Sequence, residues 1–143
     1  MRKVAIVYTT QTGETEKMAE SIADGVRAAG GEATLMKMAE VTDPSILNDF
    51  DAIALGSPTQ EAKEIPAAAE FMERLAASGV TGKYCNAFGS YGWSGEAPYH
   101  LALKAERECG MKMIGEPLKA QQGIRDTDLD VCRAFGMKMV FGE

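Results

Sequence analysis

The feature that most constrains this chain is a regular alternation between short apolar runs and amphipathic stretches. Lys3 to Tyr8 is apolar almost without a break, the pattern of a strand buried on both faces. A helical stretch follows from Gly13 to Ala29, where Met18, Ile22 and Val26 fall four apart and share a face. Gly30-Gly31 ends it. Ala33 to Met36 and Asp51 to Leu55 read as the second and third strands. Pro44 to Asn48 is the stub of a helix between them. Pro66 opens a helix to Ala77 with Phe71, Met72 and Leu75 on one side. Lys83 to Gly89 is a fourth strand, Gly95 to Cys109 a helix stopped by Gly110, and Met111 to Ile114 starts a fifth strand. Asp126-Thr127-Asp128 caps a last helix striped by Leu129, Cys132, Phe135, Met139 and Val140.

Strands alternating with helices predict an α/β fold. The expected form is a doubly wound five-stranded parallel sheet, strand order 2-1-3-4-5, with helices on both faces. The 143 residues, 45% of them hydrophobic, supply one core, so residues 1–143 are expected to form a single domain. Disorder is excluded by the apolar fraction.

Charge and cysteine usage narrow the function classes. Fifteen basic against 21 acidic residues give a net charge of −6, a poor match for nucleic acid or an anionic membrane surface. No apolar run reaches the roughly 18 residues of a membrane span, and the N-terminus is too short for a signal-peptide core. A monomer in the cytoplasm is expected. Cys85, Cys109 and Cys132 are far apart with no CxxC, and His100 is the single histidine. Neither a metal cluster nor a nucleophile–base pair is expected, and no catalytic residue is assigned.

In doubly wound sheets, ligands sit at the carboxyl ends of the strands. The loop after strand one is Thr9-Thr10-Gln11-Thr12-Gly13-Glu14-Thr15. It leads into a helix N-terminus, where unpaired amides and the helix dipole welcome an anion. It contains neither GK[ST] nor GxGxxG, so a phosphate there must be held by neutral donors. The alternative is a capped helix start with incidental threonines. The loop after strand three is Gly56-Ser57-Pro58-Thr59-Gln60-Glu61-Ala62, and that after strand four is Gly89-Ser90-Tyr91-Gly92-Trp93-Ser94-Gly95-Glu96. The latter carries the only tryptophan, placed either to stack on a flat ring or to cover the adjacent helix.

These residues carry a resemblance. Thr10-Gln11-Thr12-Gly13-Glu14-Thr15 resembles the T-x-T-G-x-T phosphate signature of short-chain flavodoxins. The loops at 56–59 and 88–96 resemble the flavodoxin module of flavodiiron proteins. The resemblance implies a flavodoxin-like fold and one non-covalent FMN. Thr9, Thr10, Gln11, Thr12, Gly13, Glu14 and Thr15 would hold its phosphate. Pro58, Thr59, Gln60 and Glu61 would flank one side of the isoalloxazine. Gly89, Ser90, Tyr91, Gly92, Trp93 and Gly95 would flank the other side. It implies a low-potential electron carrier working with transient redox partner proteins that present basic docking patches. Thr59 to Ala62 has neither the aromatic nor the glycine many flavodoxins carry there. A peptide flip is therefore not expected, because φ > 0 costs a non-glycine residue.

Two other classes are weighed. An FMN-dependent NAD(P)H:quinone or flavin reductase of the same fold would need an insertion to build a nicotinamide site. A phosphoacceptor receiver domain would need clustered acids where strand one ends in Tyr8-Thr9-Thr10. Around the expected ring, Glu61, Glu64, Glu96, Asp126, Asp128 and Asp130 face Lys63, Arg125 and Arg133, six acids against three bases, a local excess of three negative charges.

Overall fold

In the computed structural model, which describes residues 2–143, the sheet runs through the middle of the chain's elements. The parallel strands are β1 (Lys3–Tyr8), β2 (Glu32–Lys37), β3 (Ala52–Gly56) and, beyond a short hairpin of β4 (Thr59–Gln60) and β5 (Lys63–Glu64), β6 (Tyr84–Tyr91). The fifth position is shared by β7 (Lys112–Met113) and β8 (Leu118–Gln121). The spatial order is β2-β1-β3-β6-β7, with β8 also on β6, which is the expected 2-1-3-4-5 arrangement. In register, Ile6 lies between Leu35 and Ala54, and Leu55 lies opposite Ala87.

The two-residue strand period explains the unbroken apolar runs. Val4 and Ile6 point to one face, where they meet Met18, Ile22 and Val26 of α1 (Glu14–Ala28) and Phe135 and Met139 of α4 (Asp126–Phe141). Ala5 and Val7 point to the other face, toward Phe71 and Leu75 of α2 (Pro66–Ala77) and Leu101 and Ala105 of α3 (Ala97–Cys109). Phe88 is fully buried, edge-on to Phe135 at 6.1 Å, a pair worth about 1 kcal/mol beyond its buried area. Cys85, Cys109 and Cys132 are buried and unpaired. Burial pushes the Cys132 thiol up to about 12.

Three expectations need correction. Between β2 and β3 the chain makes two 3₁₀ turns, Met38–Glu40 and Pro44–Asp49, rather than an α-helix. Asp43 starts the second by accepting the Ser45 N–H, and Met38 and Leu47 bury what a helix would have buried. The fourth strand extends beyond Gly89 to Tyr91. The fifth strand is broken at Ile114–Pro117, where Gly115 has φ 69° and Pro117 lacks a donor. Asn86 repairs the break, its side-chain amide donating to the carbonyls of Ile114 (2.6 Å) and Glu116 (2.9 Å).

Candidate functional site

The carboxyl ends of β1, β3 and β6 deliver three segments to one edge of the sheet. The first follows β1. The Thr9 amide donates to the Gly56 carbonyl (3.0 Å), continuing the ladder by one residue. The Thr10 hydroxyl accepts the Gly13 N–H (3.1 Å), folding the loop back on itself. Gly13 takes φ 88° at the N-cap of α1 with open space where a side chain would be. No side chain caps the helix, so its first-turn amides keep their donors for a ligand. Gln11 and Thr12 are exposed beside them.

Glu14 and Thr15 are engaged differently. The Glu14 carboxylate accepts the Ile124 N–H (3.1 Å), and the buried Thr15 hydroxyl lies 2.8 Å from that of Ser90. At the strand's last residue the Tyr8 hydroxyl donates to Glu16 (2.6 Å). Burial first, then that carboxylate, push the Tyr8 pKa well above the usual phenol range.

The second segment is the β4–β5 hairpin, which sequence periodicity did not reveal because each strand is two residues long. Ser57 roots it: its hydroxyl donates to the Pro58 carbonyl and accepts the Ile65 N–H. Thr59 accepts the Ala97 N–H at the start of α3 (2.9 Å). At the tip, Glu61 (φ 53°) and Ala62 (φ 63°) both lie in the left-handed region. The cost foreseen for a non-glycine residue is therefore carried here in the resting fold rather than avoided. Gln60 reaches across to Gln11 (3.3 Å).

The third segment follows β6. Gly89 is obligatory there, since a Cβ would sit 1.9 Å from the Ser57 carbonyl oxygen. Trp93 is 97% exposed, so it does not cover the neighbouring helix and offers its indole to solvent or a ligand. Tyr91, Trp93, Tyr99, His100 and Lys119 line a groove of about 470 Å³. Lys119 lies over the Tyr91 ring (5.5 Å) and the Tyr99 ring (5.9 Å). Gly92 and Gly95 turn the chain between them, Gly95 buried against Lys119. A hydrogen bond from Ser94 chiefly holds the Glu96 carboxyl below the usual carboxylate range.

A fourth segment was missed. β8 pairs with the end of β6, Ser90 opposite Ala120 and Tyr91 opposite Gln121. The Gln122 N–H then donates to the Tyr91 carbonyl (2.7 Å). The signal available was Gly123, a turn glycine at φ 86° just after the last strand.

The local charge also changes. Lys104 sits 3.1 Å from Glu64, Arg125 pairs with Asp128 and Arg133 with Asp130, and Lys119 lies close to Glu96. Lys104 and Lys119 thus stand beside two of the six acids counted from sequence, Glu64 and Glu96. Among the described residues no group of acids, histidines and cysteines is arranged to hold a metal ion. No helix among them is long and apolar enough to cross a membrane.

The family model for flavodoxin matches residues 6–136. The chain belongs to the flavodoxin family. A flavodoxin from Clostridium beijerinckii is 31% identical over 139 residues, covering 94% of this chain and 96% of that one. The structure of a flavodoxin from the domain Archaea superposes with a TM-score of 0.90 at 36% identity, covering 97% of this chain and 96% of the other. A nitric oxide reductase from Moorella thermoacetica is 33% identical over 143 residues, 96% of this chain but 35% of that protein. This flavodoxin-family chain thus spans about a third of that longer relative. The family carries a flavin, typically FMN, and the edge of the sheet fits one. Uncapped amides and neutral hydroxyls suit a phosphate, and an exposed indole suits a planar ring.

Proposed function

We propose that this chain is a low-potential electron carrier that binds one FMN non-covalently and passes electrons between redox partner proteins. The observation that supports it most is the convergence at one sheet edge of an uncapped helix N-terminus and an unshielded tryptophan. Bound FMN supplies the electron-accepting and electron-donating chemistry. The chain's residues supply the rest. The amides of Glu14 and Thr15 and the hydroxyls of Thr10 and Thr12 hold the phosphate, with Gly13 giving it close approach. Pro58 to Glu61 and Ser90 to Gly95 enclose the ring from two sides and limit its contact with water.

In this reading residues 1–143 act as one flavin domain, monomeric and cytoplasmic, docking partners through basic patches on their side. The net charge of −6 favours such partners. The test is titration of the apoprotein with FMN, cofactor identification by mass, and an NAD(P)H oxidation assay. A yellow protein that takes up one FMN and fails to oxidise NAD(P)H unaided supports the carrier. Steady NAD(P)H turnover overturns it in favour of an FMN-dependent quinone or flavin reductase.

A further inference from the structure

Among the described residues Glu64 is the only charged residue that is buried, its side chain 4% exposed. It stands on β5 opposite Thr59. One carboxylate oxygen lies 3.1 Å from the Lys104 ammonium and the other 3.3 Å from Nδ1 of His100, residues one turn apart on α3. A buried carboxylate is expensive even when paired, and an apolar residue would fill the position at less cost. What the charge adds is a fixed attachment in two directions.

The hairpin needs one. It has two residue pairs, too few to hold itself, and its tip is strained at Glu61 and Ala62. Beside the Ser57 root and the Gln60–Gln11 contact, two of its attachments reach α3, through Thr59 to the Ala97 amide and through Glu64 to His100 and Lys104. The same helix begins where the 91–96 loop ends, so α3 sets the spacing of the two walls.

We propose that Glu64 is a positioning residue: gripped by Lys104 and His100, it holds the Thr59–Glu64 hairpin, and with it Gln60, in place beside the flavin ring. What the hairpin faces rests on the FMN reading above; the grip itself does not. The groups around His100 are Glu64 from β5, Lys104 one turn along α3, Glu96 at the start of α3, and Lys119 from β8 with Tyr91 and Tyr99 in the shared groove. Burial pushes the Glu64 carboxyl up, but its own backbone N–H, Lys104 and His100 outweigh that and keep it ionised.

The test is amide hydrogen exchange of residues 60–64 in the flavin-free protein, corrected for intrinsic rates. His100→Gln should lower protection about threefold, the strength of a partly exposed contact, while leaving α1 amides unchanged. Glu64→Gln should lower protection about tenfold, and Lys104→Arg, which keeps the cation, should retain wild-type protection. Unchanged protection in His100→Gln or in Glu64→Gln overturns the proposal. Should Glu64→Gln fail to fold, Lys104→Gln decides: reduced hairpin protection supports the grip, and wild-type protection overturns it. Failure of the wild type to bind FMN would sink the flavin reading and leave this measurement standing.

Discussion

The hydroxyls of Thr15 and Ser90 meet at 2.8 Å, both buried, and tie the first turn of α1 to the end of β6. They join the segment proposed to hold the phosphate to the segment proposed to flank the ring through one bond. Removing one partner leaves the other buried without a mate, which costs about 1 to 3 kcal/mol, whereas removing both costs less. Thr15→Val and Ser90→Ala should each destabilise the apoprotein by that amount, and the double variant by clearly less than their sum. Additive losses in urea denaturation would show that the bond carries no coupling.

The phosphate assignment is open to a direct comparison. The loop from Thr9 to Thr15 has no basic side chain, so affinity rests on amides and hydroxyls. A hydroxyl bonded to a charged group contributes roughly 1.5 to 3 kcal/mol. Thr12, exposed and free of the internal bond that engages Thr10, is the residue to change. Thr12→Ala should weaken FMN about 10- to 100-fold by the same principle and affect riboflavin much less. Equal losses for the two ligands would remove Thr12 from the phosphate site.

The hairpin tip makes a stability prediction of opposite sign. Glu61 and Ala62 occupy the two central positions of the turn with positive φ, where Asn-Gly is the favoured pair. Each L-residue there costs roughly 1 to 2 kcal/mol, partly offset by the extra unfolded-state freedom of glycine. Glu61→Asn combined with Ala62→Gly should therefore stabilise the apoprotein by about 0.5 to 1 kcal/mol. A lower denaturation midpoint would mean that the surrounding contacts, rather than the backbone, set the cost.

Trp93 gives the simplest optical check, because it is the only tryptophan. At 97% exposure it should be quenched freely by acrylamide in the apoprotein. FMN should both suppress its emission and shield it. Unchanged emission on saturation with FMN would place the ring elsewhere.

The contrast between these sites explains what the sequence made legible. Val4 to Tyr8 read correctly because a central parallel strand is apolar on both faces. The hairpin was invisible: two-residue strands have no period, and Glu61-Ala62 is not a turn pair that propensity favours. The break in the fifth strand was equally hidden, since Asn86, which satisfies it, lies 28 residues before Ile114. Glu64 looked like one more acid near the ring because its partners, His100 and Lys104, come from a helix that only the tertiary fold brings beside it. Pairings of distant charges are where reading by composition fails.

The corrected charge pattern bears on potential. The second one-electron reduction of FMN leaves a negative charge on the ring, so nearby acids disfavour it and nearby bases favour it. One unit charge about 10 Å away, at an effective dielectric near 20, contributes on the order of 1.7 kcal/mol before salt screening. About 1.4 kcal/mol corresponds to about 59 mV for one electron, so a single charge can move the couple by several tens of millivolts. From sequence the excess was three negative charges; Lys104 on Glu64 and Lys119 beside Glu96 offset two of those acids. The FMN phosphate adds negative charge that no cation in Thr10 to Thr15 offsets. The second couple should therefore lie below that of free FMN, by less than the sequence tally implies. Lys119→Gln, which removes the base nearest the aromatic loop, should lower it further by some tens of millivolts at low salt, by the same Coulomb argument. Dithionite titration with reference dyes measures both. A wild-type couple at or above that of free FMN, or a Lys119→Gln couple that rises, would show that these side chains do not set the potential.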